Sequence, residues 1–115
     1  MGIGFNDTAP KLDQIWKIKT NFWVVSGTGA GSPYFDVSTY GVEKITWEIV
    51  SNTGSYREIS LQGSSTGSIW YNLDETNSVG STEMRHVVNK PSKYLRPEVE
   101  ATSGGNYEIT VFGWR

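Results

Sequence analysis

Apolar and polar residues alternate with a period of two along residues 94–115, the stretch that most constrains the fold of this chain. The alternation stops at residues 102–106, which include two consecutive glycines, and then resumes. This pattern is typical of an antiparallel β-hairpin with one buried face. Pro97 cannot donate to a ladder, so it is expected at a sheet edge or a bulge. The predicted inner face carries Leu95, Val99, Ala101, Tyr107, Ile109 and Val111.

An isolated hairpin is only marginally stable in water, so further strands must pack against it. Thirteen glycines, five tryptophans and six tyrosines suit many turns and half-buried pleated surfaces. No segment of the sequence carries a sustained apolar stripe with helical period. The other predicted strands cover residues 14–25, 34–40, 42–51, 56–62, 69–73 and 83–88.

Alternation also predicts how these strands are arranged. Residues 42–51 and 56–62 are predicted to pair as a second hairpin, and residues 74–82 to form a polar loop. Ile69, Tyr71 and Leu73 are predicted to share one inward side. For residues 14–25 we expect an inner face made of Trp16, Ile18, Thr20, Phe22 and Val24.

We therefore predict an all-β fold: a single antiparallel β-sandwich of jelly-roll or Greek-key type, with seven or eight short strands over residues 14–115. A length of 115 residues suits one domain with one core. Residues 1–13 are interrupted by Gly, Asn, Asp and Pro and are predicted to form an irregular N-terminal arm. This arm either rests on its own domain or reaches a neighbouring subunit with Ile3 and Phe5 as anchors.

Composition argues against some classes of partner. The net charge is −2 with both signs mixed along the chain, whereas nucleic-acid binding needs a basic stripe. No apolar run approaches the roughly 18 residues of a membrane span, and the N-terminus lacks the basic start and apolar core of a signal peptide. Without cysteine the chain has no disulfide, thiolate metal site or cysteine nucleophile. We expect synthesis in a cytoplasm and neither nucleic acid nor membrane as a partner.

No pattern indicates catalysis or a cofactor. The glycine-rich residues 26–33 lack the Lys of a P-loop and precede a strand-like run, so they are interpreted as a connection. His86, the only histidine, lies in phase with Met84 and Val88 and is interpreted as a packed or interface side chain. Residues 74–78 are acidic but lack the spacing of a calcium loop. We predict no enzyme, no cofactor and no metal.

The remaining signal is a set of aromatic residues out of phase with the predicted inner faces of their own strands. Exposed aromatic clusters mark protein contacts or sugar-stacking surfaces. The other interpretation is that the second layer or loops cover them. The residues are Trp23, Trp70, Phe112 and Trp114.

From residue 59 onward the sequence resembles small virion proteins of tailed bacteriophages, of the capsid cement (decoration) type. The resemblance covers about half of the chain, and Lys93 stands where arginine is commoner. It consists of a Gly-Ser turn, a following tryptophan, a Tyr-x-Arg-Pro run and a terminal Val-x-Gly-x-Arg. The matching residues are Leu61-Gln-Gly-Ser64, Gly67-Ser-Ile-Trp70, Leu73, Lys93-Tyr-Leu-Arg-Pro97, Val99, Gly104-Gly105 and Ile109-Thr-Val-Phe-Gly-Trp-Arg115.

This resemblance implies a structural virion protein that binds the outer surface of a phage head between major capsid subunits and opposes internal DNA pressure. The major capsid protein would be its partner, together with self-association into a dimer or trimer. The predicted contact residues are Ile3, Phe5, Trp23, Trp70, Phe112, Trp114 and Arg115.

A second resemblance leads to an alternative function. The same Gly-Ser turn, tryptophan and Tyr-x-Arg run are similar to discoidin-type carbohydrate-binding jelly rolls, which implies sugar stacking on Trp70 or Trp114. A tail or neck component of the virion is a third candidate.

Overall fold

The computed structural model describes residues 18–38, 42, 44–52, 56–78, 80 and 82–114. These residues contain nine strands, and none of them lies in a helix that could cross a membrane. The predicted arm, residues 1–13, lies outside the described residues. The strands are β1 (Ile18–Ser26), β2 (Gly29–Ala30), β3 (Phe35–Asp36), β4 (Lys44–Ser51), β5 (Arg57–Ser64), β6 (Tyr71–Ser78), β7 (Thr82–Val88), β8 (Tyr94–Thr102) and β9 (Asn106–Trp114).

The strands form two antiparallel sheets that pack as a β-sandwich, which confirms the predicted fold class. The four-stranded sheet has the order β1-β9-β4-β7. The five-stranded sheet has the order β2-β8-β5-β6, and β3 also pairs with β8. Both sheets contribute alternate residues to one core, and full burial of side chains of this size contributes about 1.5–3 kcal/mol each. The buried apolar residues described are Trp23, Val25, Phe35, Val37, Val42, Ile45, Trp47, Ile49, Ile59, Leu61, Val87, Leu95, Val99, Tyr107, Ile109 and Val111.

Both predicted hairpins are wrong, although their strands exist. β8 belongs to the five-stranded sheet and β9 to the four-stranded sheet, and β4 and β5 are divided in the same way. The turn at Gly104 and Gly105, with φ of 138° and 98°, is a glycine turn as predicted, but it carries the chain across the sandwich. Two alternating strands joined by a turn can bury their apolar sides side by side or face to face. Their period is the same in both arrangements, so it does not distinguish them.

The predicted inner face of β1 is also wrong. Trp23 is buried at 4% exposure and Val25 is buried beside it, whereas Phe22 and Val24 are 55% and 58% exposed. The strand is apolar on both faces, so alternation leaves its orientation undetermined. Burial of an indole requires a partner for its N–H, and Trp23 Nε1 donates to the carbonyl of Pro33 at 2.7 Å.

β6 extends through the predicted polar loop. It pairs with β5 from Tyr71 to Ser78, with a register shift opposite Leu61 and Gln62. The prediction that Ile69 and Tyr71 point inward is wrong, since both are exposed. Leu73 packs against the core as predicted.

Pro97 lies within β8, where its missing N–H costs no bond to β5. Its carbonyl accepts from the Gly31 N–H at 2.8 Å, and the N and O of a strand residue point to the same neighbour. The proline nitrogen therefore faces the side of β8 that pairs only with the short strands β2 and β3. The predicted edge or bulge position is therefore wrong, since β8 has partners on both sides and its register against β5 shifts elsewhere, opposite residues 58 and 59.

A partly buried charge cluster closes the sandwich between β6 and β7. Arg57 is fully buried and donates to Glu83 Oε1 at 3.1 Å and to the carbonyl of Gly80 at 2.6 Å. Thr76 donates to both oxygens of Glu83, at 2.9 and 2.7 Å. A buried guanidinium requires a counter-charge, and Glu83 supplies it.

Arg85 extends this cluster to a second carboxylate. It donates to Asp74 at 2.8 and 3.0 Å and to Glu83 at 2.9 Å, and Trp47 Nε1 donates to Asp74 at 2.9 Å. Burial by itself would raise the pKa of each carboxylate. Hydrogen bonds from Arg85 and Trp47 to Asp74, and from Thr76 and Arg85 to Glu83, outweigh it and hold both pKa values below their ordinary range. The hydrogen bond to Asp74 raises the pKa of Arg85.

Candidate binding surfaces

The outer surface of the four-stranded sheet carries a group of apolar side chains, and we call it the apolar face. Phe22, Val24, Met84 and Val88 are each between 54% and 58% exposed, and the remaining members are half-buried. Single exposed apolar residues are ordinary, whereas several on one sheet face are grounds to consider a contact surface. The apolar residues described on this face are Phe22 and Val24 of β1, Phe112 and Trp114 of β9, Val50 of β4, and Met84 and Val88 of β7.

Cross-strand register interleaves these apolar residues with polar ones. Phe112 lies between Thr20 of β1 and Thr46 of β4, and Thr110 lies next to Phe22. Residues that are directly opposite each other share one face of a sheet. Charged residues share the face as well: Lys44 lies opposite Val88, Glu48 opposite Met84, and Glu108 opposite Val24. The face therefore offers apolar residues on both edge strands, separated by hydroxyl-bearing and charged side chains.

His86 lies on the apolar face with Met84 and Val88, as its phase predicts, but all three are exposed. Its Nδ1 lies 2.9 Å from Oγ1 of Thr46. The interpretation of His86 as a packed residue is wrong, and its interface role stays a prediction.

The structure separates the predicted contact residues. Phe112 and Trp114 share the apolar face, and Trp70 is half-buried in the turn between β5 and β6 of the other sheet. The expected exposure of Trp23 is wrong, because its ring lies in the core. The other predicted contacts lie outside the described residues: Ile3, Phe5 and Arg115.

Three aromatic rings and an arginine form a second surface at one end of the outer side of the five-stranded sheet. We call this group, Tyr34, Trp70, Tyr94 and Arg96, the aromatic cluster. The ring centroid of Tyr34 lies 5.5 Å from that of Trp70 and 4.8 Å from that of Tyr94, with tilted geometry. The guanidinium carbon of Arg96 lies 4.2 Å from the Trp70 centroid, a distance typical of a cation–π contact.

The turn between β5 and β6 positions Trp70. Ser64 Oγ accepts from the backbone N–H groups of Thr66 and Gly67, at 3.1 and 2.8 Å. Gly67 has φ +82°, and a Cβ there would lie 2.9 Å from the Tyr34 hydroxyl. The Gly-Ser turn, the tryptophan and the Tyr-x-Arg run on which both resemblances rest thus meet in one cluster.

A ladder of hydrogen-bonded polar side chains continues from Arg96 across the same surface. Arg96 Nε donates to Gln62 Oε1 at 2.8 Å, and Gln62 Nε2 donates to Glu98 at 2.7 Å and to Asn72 at 3.1 Å. Asn72 Nδ2 in turn lies 3.4 Å from an oxygen of Glu100. Sequence reasoning missed this polar ladder, because its members come from three strands whose pairing the alternation does not reveal.

The far end of the polar ladder borders a cleft of about 290 Å³. Among the described residues, no group of three or more histidine or carboxylate side chains is placed to hold a metal ion. The cleft is lined by Glu58, Ile59, Glu75, Thr76, Asn77 and Glu100.

The sequence matches no protein-family model and no curated protein. Solved structures do share its fold. The SPBc2 prophage-derived protein YomS is 13% identical with a TM-score of 0.60, covering 84% of this chain and 94% of YomS. The PBSX exported protein XepA is 16% identical with a TM-score of 0.56, covering 84% of this chain and 38% of XepA.

A third similar structure is the K1 cleaved adhesin domain of Lys-gingipain from Porphyromonas gingivalis W83. It is 15% identical with a TM-score of 0.52, covering 84% of this chain and 63% of that chain. At these identities the likeness is one of fold. One fold supports many functions, so function has to be argued from the surfaces described above.

Proposed function

We propose that this chain is a non-enzymatic structural protein of a bacteriophage particle, a capsid cement protein that binds the outer surface of the head between major capsid subunits. The observation that carries the proposal is the apolar face, which offers an open sheet surface with exposed apolar residues on both of its edge strands. The resemblance of residues 59–115 to cement proteins supports it. So does the fold shared with YomS, a prophage-derived protein of which 94% is covered.

The size of the apolar face suits this role. Four strands about 4.8 Å apart, with about eight residues of 3.3 Å rise each, give a flat area of roughly 19 Å by 26 Å. Protruding side chains raise the accessible area above these ~500 Å², towards the ~800 Å² that one partner buries in a standard interface. One face of one sheet can therefore supply most of a stable contact.

The physical basis of cementing is linkage. A protein that binds the assembled lattice, and not the free capsid subunit, stabilises the lattice by its free energy of binding. At a free concentration of about 100 times Kd this amounts to ~2.7 kcal/mol for each occupied site. No chemical step is needed.

The test is co-sedimentation of the purified chain with emptied, expanded heads of the phage that encodes it. We expect saturable binding at a fixed number of copies per head. Met84→Lys should weaken it, because a charge would be desolvated in the contact. The matched control is Tyr71→Lys, which changes a 67% exposed residue of the other sheet and should bind like the unmodified protein.

Absence of head binding, or equal binding by the Met84→Lys variant, would refute the proposed role of the apolar face. Binding to isolated tails instead of heads would move the protein to the tail or neck of the virion. Deletion of residues 1–13 tests the arm separately. If Ile3 and Phe5 contact a neighbouring subunit, the shortened chain should occupy heads less tightly.

Carbohydrate binding is the second candidate, favoured by the aromatic cluster lying directly beside the polar ladder. Ligand sites combine apolar and aromatic walls with a few placed polar groups. Glu98 accepts a hydrogen bond from Gln62, and one oxygen of Glu100 accepts from Ser60 at 3.0 Å and from Asn72 at 3.4 Å. An ionised carboxylate has further lone pairs for the hydroxyls of a sugar.

A glycan panel separates the two candidates. If the chain binds both glycans and heads, Trp70→Ala should abolish glycan binding and leave head binding unchanged. Met84→Lys should weaken head binding and leave glycan binding unchanged. Glycan binding without any head binding would replace the cement proposal by a carbohydrate-binding one.

A further inference from the structure

Within the described part of the chain, β1 is a long sheet edge that contains no bulge, proline or glycine. Its inner neighbour is β9, and no described strand pairs along its opposite edge. Its register with β9 runs from Ile18 to Ser26 without a bulge, and residues 20–26 contain no charge, proline or glycine. Such an edge presents a row of backbone N–H and C=O groups to a further strand.

The other edges of the two sheets are protected. β7 carries Glu83 and Arg85, and β6 carries Asp74, whose side chains form the charge cluster inside the sandwich. β6 also shifts register against β5, and β2 and β3 cover the open side of β8. Inward-pointing charges, bulges and short covering strands are the devices that keep natural sheet edges from pairing. Among the described edges, β1 is the least protected: it has no bulge and no proline, and its one charge, Lys19, is the second residue of the strand.

We propose that β1 pairs antiparallel with β1 of a second copy of this chain, about a two-fold axis at Phe22. Phe22 is the middle residue of the nine-residue strand Ile18–Ser26, so pairing that uses the whole strand places the axis there. Phe22 then lies opposite its own mate and Thr20 opposite Val24 of the other copy. A two-fold axis makes each such contact twice.

Charge favours a second copy as the occupant. Lys19 is the one charged residue of β1, and in this register it lies opposite Val25 of the other copy. No like charges therefore meet, whereas like charges directly opposite each other destabilise a strand pair. Phe22 gains its own mate as a directly opposed apolar neighbour in this register, and Val24 lies diagonally across from the Phe22 of the other copy.

This pairing goes beyond the proposed function, because it requires no capsid. It would join two four-stranded sheets into one eight-stranded sheet and place two apolar faces side by side. A dimer of this kind could then contact two neighbouring sites on a lattice.

The test is the oligomeric state of the full chain, measured by sedimentation velocity over a wide range of concentration. We expect a reversible dimer. Phe22→Lys should weaken it by roughly tenfold or more, because two lysines would lie opposite each other. The matched control is Met84→Lys, since Met84 is equally exposed, at 55%, on the other edge strand of the same sheet. Its dimer should be unchanged, whereas head binding by this variant should be weakened.

A cross-linking variant keeps the test independent of lysine effects on folding. Opposed residues of an antiparallel pair have Cα atoms about 4.5–5.5 Å apart, which a disulfide can span. The natural chain has no cysteine, so any disulfide in a single-cysteine variant joins two copies. Under mild oxidation with glutathione disulfide, Phe22→Cys should form a covalent dimer rapidly and Met84→Cys should not.

A chain that stays monomeric at every concentration would overturn the proposal, as would a dimer that Phe22→Lys leaves intact. A monomer whose head binding is lost in Phe22→Lys would also overturn self-pairing, because Phe22 would then act only as part of the apolar face that contacts the capsid. A dimer without head binding would uphold this inference while refuting the cement function.

Discussion

Replacing Glu83 by glutamine should destabilise the domain by about 3 kcal/mol, because it leaves the buried Arg57 without a counter-charge. The Arg57 side chain is 1% exposed and that of Glu83 is 20% exposed. Breaking a buried ion pair by removing one partner typically costs about 3–5 kcal/mol. The partial exposure of Glu83 and the retained carbonyl of glutamine, which can still accept from Thr76, place the expected cost at the lower end.

The assay is thermal and urea unfolding at neutral pH, followed by tryptophan fluorescence. For a domain of this size 1 kcal/mol corresponds to about 4 °C, so the melting temperature should fall by roughly 12 °C. The slope of the free energy of unfolding against urea concentration should be unchanged if the variant folds to the same structure. Glu108→Gln, on an exposed position of β9, is the control and should stay within about 0.5 kcal/mol. If both variants unfold alike, Arg57 does not depend on Glu83 and the reasoning fails.

The lowered pKa values of Asp74 and Glu83 predict acid sensitivity: their stabilisation is fully present above about pH 5 and is lost as pH falls through the folded pKa values. Unfolding measured at decreasing pH should show this loss, and an equally steep loss in Glu83→Gln would contradict it. Ile59→Ala, at 1% exposure, should cost about 2–4 kcal/mol, while Ile69→Ala, at 59%, should change the urea midpoint little. A Cβ at Gly31 would lie 2.8 Å from two neighbouring ring side chains, so Gly31→Ala should cost about 1–3 kcal/mol. An unchanged melting temperature would show that this segment can move aside.

The residues that carry the resemblance show how much of the aromatic cluster a local sequence pattern can predict. Tyr94, Arg96 and Trp70 stand out in the sequence and do meet in the structure. Tyr34, which contacts both aromatic rings, carries no such signal. Its neighbours are set by the pairing of β3 with β8, a contact between residues distant in the chain.

Sequence by itself determined that the chain forms strands and where most of them turn, because alternation and glycine placement act between near neighbours. It also determined the buried sides of β4, β5, β8 and β9, where one side of each strand is distinctly more apolar. Tertiary structure decided the rest: which strands pair, which side of β1 is buried, and that a polar segment becomes strand β6. Pairing depends on how two sheets bury their apolar sides together, and a strand that is apolar on both sides is oriented only by the core it joins.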